Sequence, residues 1–251
     1  MQFLTTPDGF RLAYYELAEG EGRPIVLQHG FSASTASEWV ECGIAARLGE
    51  LGRPVVGIDA LGHGKSDAPH ESRHYGERRM ARDIGVLLDE IGAEEADLVG
   101  YSMGAIVTLI AATHERRLRR VVAGGVGEAV VLLGGVDTRA LDNGVLEQAL
   151  RADDPGDVPE MVRGFRQWID QNGSDRLALA AHASAINTAP IALDTITAPT
   201  LIIAGRSDPL AINPDVLVAA IPGAWLALVD GDHTSARLNP QFVSEIAAFL
   251  A

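Results

Sequence analysis

The most informative run in this sequence is Asp97-Leu98-Val99-Gly100-Tyr101-Ser102-Met103-Gly104-Ala105-Ile106-Val107. Its pattern predicts a buried strand that turns sharply into an apolar helix, with Ser102 at the apex. Gly100 and Gly104 flank this serine in the spacing G-x-S-x-G. Because the helix start nearly touches the strand end in such a turn, side chains at these two positions would collide, and glycine is preferred there. The apex residue takes a strained backbone conformation, which exposes its hydroxyl above the sheet.

Short apolar strands and helices alternate on both sides of this run. A hairpin is expected over residues 2–17, around the turn triplet Pro7-Asp8-Gly9. Strands are predicted at 24–28, 55–59, 97–101, 120–124, 200–204 and 225–229. Helices are predicted at about 36–51, 80–91, 103–114, 213–220 and 239–250. This alternation predicts a mostly parallel, doubly wound sheet.

The alternation stops between residues 128 and 190. This segment is predicted to be helical, and it is richer in acidic residues and in Pro/Gly breaks. It carries an apolar stripe made of Met161, Val162, Phe165, Trp168 and Ile169. We expect the stripe to dock this segment on the core, with one or two of its members lining a ligand pocket.

Composition excludes several classes of partner. The chain has 251 residues, a net charge of -14 and 47% hydrophobic residues, which is ample for a core on both faces of a sheet. The acidic balance opposes binding to nucleic acid or to an anionic membrane. Cys42 is the only cysteine, so no intrachain disulfide can form and a reducing compartment fits best. Because neither a signal-peptide pattern nor an apolar run of membrane length is present, we expect a cytoplasmic protein.

Gly64-Lys65-Ser66, in the loop after the predicted strand 55–59, resembles the end of a phosphate-binding P-loop. That pattern requires a glycine where this chain has Asp59, and a carboxylate there would repel phosphate. Nucleotide binding is therefore rejected. The histidines show no metal-ligand spacing such as H-E-x-x-H, so neither a metal nor another cofactor is expected.

Polar residues follow four of the predicted strands, at the point where each strand ends. They are His29-Gly30-Phe31, Ser102, Asp208 and His233. Ligand chemistry in parallel sheets gathers at the carboxyl ends of the strands. A serine hydroxyl is a weak nucleophile unless a base takes its proton, and histidine, with a pKa of about 6.5, suits that task. An aspartate on the other ring nitrogen fixes the tautomer, and the chain order Ser102, Asp208, His233 is typical of the G-x-S-x-G turn.

Together these motifs resemble the α/β-hydrolases, in particular the short-chain esterases, lactonases and cofactor-free perhydrolases. The resemblance covers nearly the whole chain and rests on residues 24–31, 59–66, 100–104, 205–208 and 231–233. It implies the α/β-hydrolase fold, a mostly parallel, doubly wound, eight-stranded sheet with a helical cap insertion. The core would comprise residues 1–127 and 191–251, and the cap would comprise residues 128–190.

The resemblance also implies roles for individual residues. Ser102 would attack a carbonyl carbon, His233 would relay the proton and Asp208 would orient His233. The backbone N–H groups of Phe31 and Met103 would hold the oxyanion.

Four aromatic residues are expected to line the substrate pocket: Phe31, Trp39, Phe165 and Trp168.

Glu128 is an alternative to Asp208 as the acid that orients His233, because it follows the preceding strand, where some family members place their acid. Asp232 stands next to His233, and neighbouring side chains on an extended segment point apart, so we expect it to face away from the imidazole. His29 is expected to brace the oxyanion loop through hydrogen bonds.

The function expected from these residues is that of a serine hydrolase acting on a small or medium, largely apolar ester, thioester or lactone. Three alternatives stay open: cleavage of a carbon–carbon bond in a diketone, transfer of the acyl group to peroxide, and a small-molecule receptor that reuses the fold. A serine at position 102 argues against haloalkane dehalogenase and epoxide hydrolase chemistry, for which relatives use aspartate. A small molecule is the expected partner, and the oligomeric state is left open.

Overall fold

The computed structural model describes residues 1–140 and 142–251, and a single eight-stranded sheet forms its centre. The strands are β1 Gln2–Thr5, β2 Arg11–Ala18, β3 Ile25–Gln28, β4 Val55–Ile58, β5 Ala96–Tyr101, β6 Leu118–Gly124, β7 Thr200–Gly205 and β8 Trp225–Val229. Their order across the sheet is β1-β2-β4-β3-β5-β6-β7-β8. β2 pairs antiparallel with β1 and with β4, and the pairs from β4 to β8 are parallel. The expected fold class is confirmed.

Helices connect the parallel strands. The α-helices of the described residues are α1 Ile44–Gly49, α2 Glu77–Glu90, α3 Met103–Ala112, α4 Ala129–Leu132, α5 Asn143–Arg151, α6 Glu160–Asn172, α7 Arg176–Ala183, α8 Pro214–Ala220 and α9 Pro240–Leu250. The prediction of one helix over 36–51 is wrong. A π-helical turn, Ala36–Val40, is separated from α1 by Gly43, whose φ of 72° is left-handed and interrupts the helix.

The sheet is covered on both faces, and consecutive strand residues point to opposite sides. Leu98 and Ile202 pack into the core formed with α2 and α3, whereas their neighbours Val99 and Ile203 pack into the core formed with α1 and α9. Because both faces are buried there, β3, β4, β5 and β7 are buried along their whole length and mostly apolar, whereas the edge strand β8 is partly exposed. The parallel strands end at the same edge of the sheet, and the loops extend from there.

Between β6 and β7 the described residues form α4–α7. Side chains from α5, α6 and α7 share a small apolar cluster of their own, built from Leu146, Leu150, Ile169, Leu179, Ala180 and Ala183. Phe31, which belongs to the loop after β3, packs against this cluster. The expectation that the apolar stripe docks this segment on the core is met only in part. Phe165 stacks on Phe31, but Val162 and Ile169 pack against other helices of the same segment. Met161, on the outer side of α6, is 74% exposed.

No helix among residues 1–140 and 142–251 has both the length and the apolar character that crossing a bilayer requires.

Candidate active site

Ser102 lies between β5 and α3 in a conformation that few side chains adopt. Its φ is 55° and its ψ is -120°, which is a strained region for a residue with a Cβ. The two flanking glycines make this possible. A Cβ on Gly100 would overlap the carbonyl oxygen of Gly104, and a Cβ on Gly104 would overlap that of Gln28. The steric reason inferred from the G-x-S-x-G spacing therefore applies to this turn.

Three side chains from separate loops form one hydrogen-bonded row. Nε2 of His233 lies 2.9 Å from Oγ of Ser102, and Nδ1 of His233 lies 2.8 Å from Oδ2 of Asp208. An ionised carboxylate only accepts hydrogen bonds, so Nδ1 carries the proton and Nε2 is left to accept from the serine hydroxyl. Asp208 is buried, with a second hydrogen bond from the N–H of Leu210 at 2.8 Å. The arrangement is able to move a proton away from Ser102.

The two other carboxylates considered from the sequence are occupied elsewhere. Glu128 accepts hydrogen bonds from Asn213 and Arg139, which lower the pKa of its carboxyl. Asp232 accepts from Ser235 and Thr234, and these contacts lower the pKa of its carboxyl too. Of the three acids, only Asp208 contacts the imidazole in the part of the chain that the structure describes.

Tyr101 supports His233, a contact that sequence reasoning missed. Its hydroxyl donates to the backbone carbonyl of His233 at 2.7 Å, and the two rings lie 5.2 Å apart. Burial, with the nearby Asp208 charge adding to it, raises the pKa of Tyr101, which keeps the hydroxyl protonated as a donor. The available signal was its position directly before Ser102, at the end of a strand buried on both faces.

The backbone of the loop after β3 faces Ser102. His29 is buried, its Nδ1 lies 2.8 Å from the carbonyl oxygen of Gly30, and its Nε2 accepts from the N–H of Ala60 at 3.0 Å. Nδ1 therefore donates to Gly30 and orients the peptide whose N–H belongs to Phe31. Within the described residues, neither the N–H of Phe31 nor that of Met103 donates to a protein acceptor. Neither N–H group is therefore already used by a protein acceptor, as a donor to an oxyanion requires.

A cavity of about 350 Å³ opens onto Ser102 and His233. Its apolar wall contains Phe31, Phe165 and Trp168, whose rings lie nearly parallel in a row. The ring centroids of Phe31 and Phe165 are 6.3 Å apart, and those of Phe165 and Trp168 are 5.8 Å apart. A larger depression of about 790 Å³ lies beside Pro24 and Pro54, at the opposite ends of the strands, and contains none of these residues.

Trp39 does not line this cavity, and its assignment to the pocket is wrong. The side chain is fully buried in the core with α1 and α9. A tryptophan within an apolar helical pattern faces inward, but the inward direction at this position leads to the sheet and not to the cavity. Glu38 and Arg237 line the cavity instead, and both were missed. A glutamate in a helical pattern gives no sequence signal that separates it from a solvated one.

Asp59 has a structural role in the glycine-rich loop. Its carboxylate accepts from the N–H groups of Thr35 and Lys65 and from the hydroxyl of Tyr15. The loop is therefore folded around a carboxylate. Among residues 1–140 and 142–251, no group of three or more His, Cys, Asp or Glu side chains is arranged to hold a metal ion.

The comparisons with known proteins agree with this fold. A family model described as the alpha/beta hydrolase fold matches residues 23–168, and the chain belongs to this family.

The crystal structure of a hydrolase from Pseudomonas aeruginosa PA01 superposes on this chain with a TM-score of 0.82 and 27% sequence identity. The superposition covers 100% of this chain and 98% of that hydrolase. An esterase from Exiguobacterium antarcticum superposes with a TM-score of 0.80 and 22% sequence identity, over 99% of this chain and 98% of the esterase. At this identity the similarity is one of fold. The 2-hydroxymuconate semialdehyde hydrolase of Pseudomonas putida is 33% identical over 52% of this chain. That alignment spans less than half, 45%, of the length of this curated relative.

Proposed function

We propose that this protein is a serine hydrolase that cleaves a small or medium, largely apolar ester, thioester or lactone through an acyl-enzyme on Ser102. The observation that carries the proposal is the continuous row from Asp208 through His233 to Ser102, with contacts of 2.8 Å and 2.9 Å. A nucleophile, a base and an orienting acid in hydrogen-bond contact are what acyl transfer requires.

The reaction would proceed in two halves. In the first, Oγ of Ser102 bonds to the carbonyl carbon while its proton passes to Nε2 of His233. The carbonyl oxygen becomes an oxyanion, which the N–H groups of Phe31 and Met103 stabilise. Collapse of this intermediate breaks the bond to the leaving group, which takes the proton from His233. In the second half, His233 removes a proton from water, and the resulting hydroxide bonds to the acyl carbon. Collapse of this second intermediate breaks the bond to Oγ of Ser102, which takes the proton back from His233, and the acid is released.

The cavity supports an apolar substrate. Three aromatic rings, those of Phe31, Phe165 and Trp168, line one side of a space of about 350 Å³, which suits a ligand of modest size. Two of these rings belong to α6. We propose that residues 128–190 act as a cap over the core formed by residues 1–127 and 191–251, and that the cap selects the substrate.

A carbon–carbon bond hydrolase with the same three residues is the second candidate, and the Pseudomonas putida relative favours it. Product analysis separates the two. An ester substrate would give an acid and an alcohol, whereas a diketone would give an acid and a ketone.

The proposal is tested with p-nitrophenyl esters of increasing acyl length and with a fluorophosphonate probe. We expect the parent protein to turn over these esters and to be labelled at Ser102. Ser102→Ala should lose both while its circular dichroism and unfolding midpoint are preserved. Undiminished turnover by the variant, or a folded parent that neither hydrolyses an ester nor reacts with the probe, would contradict the proposal, and the second result would favour a receptor.

A further inference from the structure

A buried carboxylate lies between the two loops that carry the oxyanion donor and the base. Glu38 belongs to the π-helical turn Ala36–Val40 and is only 3% exposed. Its Oε2 accepts a hydrogen bond from the N–H of Gly30 at 2.5 Å, and its Oε1 lies 3.3 Å from Nε of Arg237. Burying a carboxylate is costly unless its oxygens find donors. Here each oxygen has one.

The two partners of Glu38 belong to different parts of the active site. Gly30 directly precedes Phe31, the candidate oxyanion donor. Arg237 lies in the short helical turn Ala236–Leu238, which follows His233 in the same loop. The guanidinium also donates from Nη1 to the sulfur of Cys42 at 3.1 Å, so its position is held from two sides. One carboxylate therefore joins the loop after β3 to the loop after β8.

The backbone at Gly30 has little room to move. A Cβ on this residue would lie 3.1 Å from Oε2 of Glu38, 3.2 Å from Cβ of Ser102 and 3.3 Å from the carbonyl oxygen of Tyr101. Gly30 is therefore held between the serine turn on one side and the Glu38 carboxylate on the other. The hydrogen bond from His29 to the carbonyl of Gly30 orients the same segment from a third direction.

We propose that the Glu38–Arg237 pair positions the oxyanion donor Phe31 relative to the base His233, an inference that rests on the proposed function. The pair acts through Gly30 and through the turn after His233, so both are positioning residues. Acyl transfer needs the oxyanion donors and the base in register with Ser102, and a displacement of about 1 Å costs on the order of 100-fold in rate.

The chemistry of the carboxylate gives a sharp set of variants. Glu38→Gln keeps one acceptor oxygen but replaces the other with an amide group that donates. It can satisfy either Gly30 or Arg237, but not both. Glu38→Ala removes both contacts, and Arg237→Met removes the cation. Arg237→Lys keeps the positive charge but loses the planar guanidinium group. Glu41→Gln is the matched control, because Glu41 is exposed on the same segment.

The experiment counts active sites before it measures rates. Each variant is titrated with a fluorophosphonate, and turnover of p-nitrophenyl acetate is expressed per titrated site. We expect Glu38→Ala, Glu38→Gln and Arg237→Met to titrate fully but to lose about 10- to 100-fold in kcat, with KM changed by less than about threefold. Arg237→Lys should recover part of the loss, and Glu41→Gln should match the parent.

A merely structural role predicts a different result: fewer titrated sites, each working at the parent rate. The proposal is wrong if the Glu38→Gln and Arg237→Met variants stay within about twofold of the parent kcat per titrated site, whatever their thermal stability. Should Glu38→Ala fail to fold, these two variants still decide the matter. A parent protein that neither turns over the ester nor reacts with the probe would instead overturn the proposed function and, with it, this inference.

Discussion

Oδ2 of Asp208 lies 2.8 Å from Nδ1 of His233, and this contact leaves the other ring nitrogen, Nε2, for Ser102. The two residues are 25 positions apart in the chain but follow the adjacent strands β7 and β8. Because β7 and β8 are parallel and in contact, their carboxyl ends bring the two loops together. The acid and the base thus both follow paired strands of the central sheet.

Asp208→Asn should abolish most of the activity without unfolding the protein. An amide donates to Nδ1, which turns the imidazole into the tautomer whose Nε2 carries a proton and cannot accept from Ser102. We expect kcat for p-nitrophenyl acetate to fall by about 10⁴-fold. Glu128→Gln is the control, and we expect its kcat to equal that of the parent. The opposite pattern would make Glu128 the acid.

Trp168→Ala should lower activity selectively for substrates with large apolar acyl groups. The Trp168 ring extends the aromatic wall 5.8 Å beyond Phe165, so an acetyl group would not need it. We expect kcat/KM to fall about tenfold for a hexanoyl ester and to change little for the acetyl ester. Met161→Ala, on the outer side of the same helix, should change neither value. An equal loss for both esters would mean that Trp168 does not define the pocket.

Gly104→Ala should destabilise the fold, because its new Cβ would overlap the carbonyl oxygen of Gln28 in β3. Backbone cannot move as a side-chain end can, so we expect a loss of about 2–4 kcal/mol in the free energy of unfolding, measured with urea. Gly164→Ala is the contrasting variant. A Cβ there meets nothing within 4 Å in the interior of α6, so we expect a gain of about 0.5–1 kcal/mol. Equal effects of the two substitutions would contradict the steric account.

His63 should make the protein less stable in mild acid. Burial lowers the pKa of His63 well below its ordinary value, and the neighbouring His29 and His182 add to this effect. Its Nδ1 lies 3.0 Å from the carbonyl of Leu61, while its Nε2 has no protein partner among the described residues. The folded state therefore has no acceptor ready for a second ring proton.

The direction of this pH dependence follows from the number of protons that the folded and unfolded states bind. Below a pH of about 6.5 the unfolded chain protonates this histidine while the folded chain does not, so its contribution is complete above that pH and is lost as the pH falls. The slope for one such group reaches about 1.4 kcal/mol per pH unit. In urea unfolding between pH 8 and pH 5, the parent should lose more stability than His63→Phe. His114→Gln, at an exposed site, should keep the parent slope, and identical slopes for the parent and His63→Phe would refute this assignment.

Local sequence was sufficient for the elements whose cause is local. The G-x-S-x-G spacing predicted the turn around Ser102, because both glycines are required by close contacts within the strand–turn–helix unit and with the neighbouring strand β3. The triplet Pro7-Asp8-Gly9 likewise predicted the β1–β2 hairpin. The predicted helix over 36–51 failed for a local reason that apolar spacing does not register, the left-handed Gly43.

The sequence by itself determined the strand–helix alternation, the serine turn and the set of polar residues at the strand ends, because periodicity, chain order and glycine spacing are properties of the linear chain. Only the tertiary structure decided that Asp208 rather than Glu128 contacts His233, that Trp39 faces the core and that Glu38 meets Arg237. Those outcomes depend on which strands become neighbours and on the direction in which each side chain leaves its backbone. Glu38 and Arg237 are about 200 positions apart, and a single sequence does not indicate that residues so distant are in contact.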